Sequence, residues 1–179
     1  MDRRRMNWGC GRVTPEGWIN SDSTYSPGVD IACDILAGLP LEDDSLDYVA
    51  SMHALPEIAY PDLEDALWEL RRVIRPGGVL RLGLPDMDRA IHAYLRNDRE
   101  YFLIPDHTCE SIGGKMVVQL MWYGRSRTMF TSDFTEELLR HSGFREVHRC
   151  EYQQTRSPYP EIIELDNRPQ ESLFIEGTK

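Results

Sequence analysis

Hydrophobic and polar positions are ordered most legibly between Leu46 and Pro85. Leu46-Asp47-Tyr48-Val49-Ala50-Ser51-Met52 follows the polar turn Glu42-Asp43-Asp44-Ser45 and reads as a strand. Leu63, Ala66, Leu67, Leu70, Val73 and Ile74 then fall on one face at helical spacing. Pro61 stands in the first turn, and Asp62, Glu64 and Asp65 lie at the positive end of the helix dipole. Arg71, Arg72 and Arg75 lie at the negative end. Pro76-Gly77-Gly78 stops the helix, and Val79 to Leu84 reads as the next strand.

On either side the elements are shorter. Candidate strands run from Arg5 to Trp8, Gly17 to Asn20 and Val29 to Ala32. A helix is expected from Met87 to Asn97, and Met116 to Tyr123 forms a second apolar stretch. Asp133 with Glu136 has the spacing of a capping box, ahead of a helix carrying Phe134, Leu138 and Leu139 and ended by Gly143. Phe144 to Tyr152 reads as a strand, Pro158 and Pro160 mark a loop, and Ser172 to Glu176 is a final apolar strand. Strands alternating with helices predict an α/β fold, a largely parallel sheet covered on both faces.

Length and charge narrow the field. At 179 residues and 41% hydrophobic, the chain is read as one domain, 1–179, with an insertion at about 86–133 as acceptor lid or subunit interface. The basic run Arg3 to Arg5 has no apolar stretch behind it, which argues against a secretory signal, and no run is long enough for a membrane. A formal charge of −10 argues against nucleic acid as a partner. Cys10, Cys33, Cys109 and Cys150 are scattered. They predict free thiols in a reducing, cytoplasmic setting and no metal site.

Open parallel sheets bind ligands beyond the carboxyl ends of their strands. Gly9-Cys10-Gly11 follows the first strand. It is either a tight turn or a loop whose backbone can approach a ligand closely. Asp22 closes the second strand and could accept hydrogen bonds from ribose hydroxyls, or cap a turn ahead of Ser23 and Thr24. Asp34 could receive an adenine amino group or stand in a solvated loop. His53 closes the fourth strand, as a structural group or as a base with an ordinary pKa near ~6.5.

In their order these segments resemble the class I S-adenosylmethionine-dependent methyltransferases, most closely short bacterial members of the type-11 group. The resemblance is carried by Asn7-Trp8-Gly9-Cys10-Gly11, Gly17 to Asp22, Gly28-Val29-Asp30 with Asp34, and Leu39 to Tyr48. Its most specific piece is Ala66 to Leu80, and the match is strong over residues 5 to 86. It implies a Rossmann-like sheet of about seven mostly parallel strands, with the last-added strand antiparallel. S-adenosylmethionine is the implied cofactor. Gly9, Cys10 and Gly11 inherit the place beside its methionine part, Asp22 the ribose, and Asp34 with Ile35 the adenine. His53 falls where the fourth strand meets the sulfonium and the acceptor.

The departures matter as well. The helix that usually follows the glycine loop has no room before Gly17, so its amides cannot all serve the cofactor carboxylate. Arg12 offers a counter-charge or is an exposed loop residue. Leu55-Pro56-Glu57 stands where the branch often has Leu-Glu-His, and the chain starts almost at its first strand, with no helices to cover an acceptor. His107 and Tyr123 in the insertion are polar groups that could face one. Methyl transfer to a small molecule, a sugar or secondary metabolite, is the expected activity. An inactive methyltransferase-like scaffold and a nicotinamide-binding oxidoreductase are the competing readings, and a homodimer is plausible.

Overall fold

A computed structural model describes residues 4–179, so Arg3 lies outside the described residues. Its strands are β1 (Arg5–Trp8), β2 (Ile19–Asp22), β3 (Ile31–Ala32), β4 (Leu46–Met52), β5 (Ile74–Pro85), β6 (Arg145–Cys150) and β7 (Ser172–Thr178). They form one sheet in the order β3-β2-β1-β4-β5-β7-β6. All neighbours are parallel except β7, which runs antiparallel to both β5 and β6. The Rossmann-like α/β fold expected from the sequence is the fold observed.

The best-patterned segment folds as its periodicity dictates. Helix α1 (Leu63–Val73) buries Leu63, Ala66, Leu67, Leu70 and Val73 completely against one sheet face. Each of these leucines contributes roughly 1.5–3 kcal/mol by leaving water. The face is completed by Met6, Trp8, Val49, Leu80, Leu82 and Ile175, and by Leu138 and Leu139 of helix α4 (Ser132–His141). Leu46 and Val49 share this face although three residues apart, because the pairing with β5 shifts register between Leu46 and Tyr48.

The regular alternation of strand and helix holds only from β4 to β6. Among the described residues no helix joins β1 to β2 or β2 to β3. The second sheet face is covered not by helices but by the irregular segment 151–171, with a 3-10 turn at Pro160–Leu165. Tyr159, Ile162 and Leu165 pack there on Trp18, Tyr48, Ala50 and Val79. The Tyr48 ring meets Trp18 edge-on at 5.5 Å and Tyr159 at 4.9 Å. A buried arginine anchors this cover. Arg81 of β5 is 0% exposed and forks onto Asp166 at 2.7 and 2.6 Å, with its third nitrogen 2.7 Å from Glu176 of β7. Buried charge is tolerable only when paired and hydrogen-bonded in this way.

Other expectations shift in detail. Strand β2 begins at Ile19, two residues later than the pattern suggests, because its pairing with β1 starts at Met6 and Ile19. Pro61 sits in a separate 3-10 turn, Tyr60–Asp62, ahead of α1. The Asp133/Glu136 capping box does not form. Helix α4 starts at Ser132, Asp133 accepts from Thr131 Oγ1 and the Phe134 amide, and Glu136 pairs with Arg140 one turn on. Helices α2 (Met87–Leu95) and α3 (Ile112–Met121) pack together around Ala90, Ala93, Phe102 and Leu120, so the insertion carries a small core of its own. All four thiols are free. No helix of the described residues is long and apolar enough to cross a membrane.

Candidate active site

A cleft of about 1030 Å³ opens beyond the carboxyl ends of β1 to β4. Gly9, Cys10, Gly11, Asp22, Asp34, Ile35 and His53 all line it, so the seven residues expected at the cofactor reach one cavity. His107 and Tyr123 do not. The insertion instead contributes Gln119, Trp122, Arg125, Ser126 and Arg127 to the wall.

The glycine loop is held without a helix. Asn7 and Asn20 lie opposite each other on β1 and β2, both buried, with their side chains 3.1 Å apart in a hydrogen bond. Asn7 Nδ2 also donates to the Val13 carbonyl at 2.7 Å, and Asn20 Nδ2 to that of Pro15 at 3.2 Å. These two amides supply the partners that a regular crossover would have found in its own backbone. An asparagine inside each of two short apolar strands was the available signal, and it points to polar atoms facing a loop.

Gly9 and Gly11 have φ of +69° and +55°, a region that costs residues with a Cβ. A Cβ on Gly9 would stand 2.1 Å from that of Ala54, so the loop abuts the start of the β4 exit. A Cβ on Gly11 would meet nothing within 4 Å, which leaves open space over its backbone. The amides of Gly9 and Cys10 donate to the Ser21 carbonyl, and that of Gly11 donates to Asp22 Oδ2 at 2.9 Å. Asp22 Oδ1 accepts from the Thr24 amide at 3.1 Å. Asp22 therefore caps its turn; Oδ1 is also met by the Ser23 hydroxyl at 3.5 Å, and Oδ2 keeps a further lone pair for a ligand.

Asp34 caps the 3-10 turn Ile35–Ala37 through Oδ1, which accepts from Leu36 at 3.0 Å, while Ile35 is buried beneath it. An acidic hydrogen-bond acceptor beside an apolar surface suits the edge and face of a nucleobase. Arg12 is exposed on the cleft wall.

At the other end, His53 adopts φ +61° directly after β4. Its amide donates to Gly83, and Nε2 lies 2.9 Å from Ser172 Oγ. The Ser172 hydroxyl is 3.3 Å from the Asn167 carbonyl, so Nε2 carries the hydrogen and donates to Ser172. Burial, with nearby Arg168, pushes the imidazole down to about 3. A ring so hard to protonate is a weak base and a steady hydrogen-bonding group.

Sequence reasoning missed Asn167, Arg168 and Glu171, which also line the cleft. They are brought in by the antiparallel pairing of Ser172 with Pro85, a long-range contact with no local pattern. Burial pushes the Glu171 carboxyl up, despite Arg168 Nη1 at 3.6 Å. Arg168 in turn lies over the Trp122 ring at 4.7 Å. At the opposite edge of the sheet, His148, Cys150 and Glu176 bring potential ligand atoms within 4.8 Å of one another. There Glu176 Oε1 is already engaged by Arg81 and by Thr155 at 2.6 Å, and burial pushes the Cys150 thiol up to about 11.

The sheet order, with β7 turned back between β5 and β6, and a glycine loop and two acidic strand ends facing one cleft define a class I methyltransferase fold. Comparison with known proteins agrees. Residues 17–82 match the family model described as a methyltransferase domain, of the type-11 group. A 62-residue stretch is 44% identical to an uncharacterized 37.1 kDa protein in transposon TN4556 of Streptomyces fradiae, covering 35% of this chain and 17% of that protein's length. Among solved structures, a Thermotoga maritima S-adenosylmethionine-dependent methyltransferase, described as a possible histamine N-methyltransferase, superposes with a TM-score of 0.61. It is 20% identical, over 98% of this chain and 82% of that one. The Haemonchus contortus phosphoethanolamine N-methyltransferase 2, solved with S-adenosylhomocysteine, has a TM-score of 0.56 at 12% identity, over 99% of this chain and 49% of that one.

Proposed function

We propose that this protein transfers a methyl group from S-adenosylmethionine to a small-molecule acceptor, a sugar or another secondary metabolite. The observation that carries the reading is the convergence of Gly9 to Gly11, Asp22, Asp34 and His53 on one cleft at the strand ends. The cleft lies at the upper end of the roughly 300–1,000 Å³ usual for small-molecule sites, so a nucleoside cofactor and an acceptor fit together. The open space over Gly11 fits close approach of a ligand. Asp22 would hold the ribose hydroxyls, Asp34 and Ile35 the adenine, and the Gly9–Gly11 backbone the methionine portion.

The bound cofactor supplies a methyl group on a positively charged sulfur. The chain's own task is alignment, which can account for a large share of the rate. His53, held neutral and tied to Ser172, fixes the wall between cofactor and acceptor and is a poor proton acceptor. The acidic surface favours small acceptors over nucleic acid, and the apolar insertion leaves a homodimer as the expected assembly.

An inactive scaffold is favoured by one observation, the absence of a helix between β1 and β2. A nicotinamide enzyme is disfavoured by the antiparallel β7, since dinucleotide-binding sheets of the doubly wound type are mostly parallel. Calorimetric titration with S-adenosylmethionine, S-adenosylhomocysteine and NAD separates the three. Saturable binding of both adenosyl compounds and none of NAD is expected. Folded protein that binds none of them would sink the enzyme reading.

A further inference from the structure

Among the described residues, six buried side-chain atoms have no hydrogen-bond partner, and two of these belong to residues lining the cleft. They are Glu171 Oε1 and Asn167 Oδ1. Both are acceptors. The Glu171 side chain is only 5% exposed, and its cation, Arg168, stands too far away for a hydrogen bond at 3.6 Å. A buried carboxylate oxygen without a donor is costly, and such groups in native proteins call for an explanation. The backbone offers no structural reason to choose glutamate. The Glu171 amide donates to Arg168, and its carbonyl accepts from the Asp86 amide at 2.8 Å, contacts that any side chain would allow.

We propose that Glu171 and Asn167 together form the recognition site for an N–H or O–H donor group on the ligand at this end of the cleft. The chemical class is a neutral or cationic donor, an amine or a polyol, because two unpartnered acceptors select for N–H and O–H groups, which a carboxylate does not offer them. Position supports the assignment. Glu171 immediately precedes Ser172, which holds His53 at the β4 exit, the side of the cleft away from Asp22 and Asp34. Trp122, with Arg168 laid over it, adds an aromatic wall. The raised carboxyl of Glu171 fits a group that also receives a proton from the donor atom, a task for which His53 is poorly suited. Calling this ligand the methyl acceptor rests on the proposed function. The donor-recognition site itself does not.

The test uses the whole chain and three probes, ethanolamine, ethylene glycol and acetate, titrated by NMR with and without S-adenosylhomocysteine. At least one donor probe should shift resonances of the Glu171–Asn167 region saturably, and acetate should not. Ethanolamine alone would identify an amine site, and ethylene glycol alone a hydroxyl site. Glu171→Gln should weaken donor binding about tenfold or more, in line with the loss of a charge-assisted bond. It should leave S-adenosylhomocysteine affinity unchanged. Since it removes a buried charge whose oxygen has no hydrogen-bond donor and only a loose ion pair with Arg168, its thermal midpoint should equal or exceed that of the parent. Acetate binding as well as the donors, no donor binding at all, or a lowered midpoint showing that Glu171 serves the fold would each overturn the proposal. Donor binding without adenosyl binding would overturn the methyltransferase reading and leave this one standing.

Discussion

Asp22→Ala separates the two roles that the structure gives this carboxylate. Oδ2 receives the Gly11 amide at 2.9 Å and Oδ1 the Thr24 amide at 3.1 Å, both in solvent-exposed surroundings. Charge-assisted bonds are worth roughly 1.5–3 kcal/mol when well shielded, and exposure cuts that by about half. Losing both should therefore cost about 1–2 kcal/mol of stability. The ligand loses more, because the same carboxylate would hold two ribose hydroxyls inside the cleft. At about 3 kcal/mol, the affinity for S-adenosylhomocysteine should fall about 100-fold. Asp22→Asn keeps one acceptor for Gly11 and should fall about tenfold. Calorimetry for affinity, beside urea unfolding for stability, reads both effects on the same protein. Unchanged affinity with lowered stability would refute the reasoning and make Asp22 a turn cap alone.

Gly9→Ala places a Cβ 2.1 Å from that of Ala54 at a φ of +69° and should cost about 2–4 kcal/mol in urea unfolding. Adding Ala54→Gly should return all but about 1 kcal/mol, the remaining backbone strain. Arg81→Met strands Asp166 and Glu176 without their shared cation and should cost about 3–5 kcal/mol, read by the same method. His53 is held near pKa 3 in the folded chain against 6.5 when free, so below about pH 6.5 the unfolded state takes up a proton that the folded state does not. Stability should fall as pH drops from about 6.5 towards 3, and His53→Gln should flatten that slope. An unchanged slope would place the imidazole in solvent.

How much could be read in advance follows from the range of the interactions. Strand β4 and α1 were legible because their signals are local: alternation and a five-residue apolar stripe. Pro76-Gly77-Gly78, which reads as the stop between helix and strand, instead lies inside β5, because Ile74 leaves the helix to pair with Leu46 and the strand already runs from there. The seven residues named for the cleft were legible because they stand just past strand ends, where sequence order maps directly onto position. The cover of the second face was not. Pro158 and Pro160 read as a loop, and nothing local shows that Tyr159, Ile162 and Leu165 dock on Tyr48, more than a hundred residues away. Arg81 gave no warning either, for a lone arginine in a strand carries no mark of the two carboxylates that meet it. Glu171 and Asn167 depend on the antiparallel return of β7 and could be found only once that pairing was in hand.

The segment 151–171 is at once the lid of the sheet's second face and, through Leu165, Asn167, Arg168 and Glu171, a wall of the cleft. Asp166, the residue clamped by Arg81, lies between two of those wall residues. Specificity and folding thus share one stretch of chain, and a substitution that reshapes the ligand's surroundings is also a move in the stability of the whole domain. Families that hang their variable loops outside the core can alter substrate freely. Here the two properties are mechanically joined, so new specificities should arise in the helical insertion, at Gln119 to Arg127, before they arise in this strap.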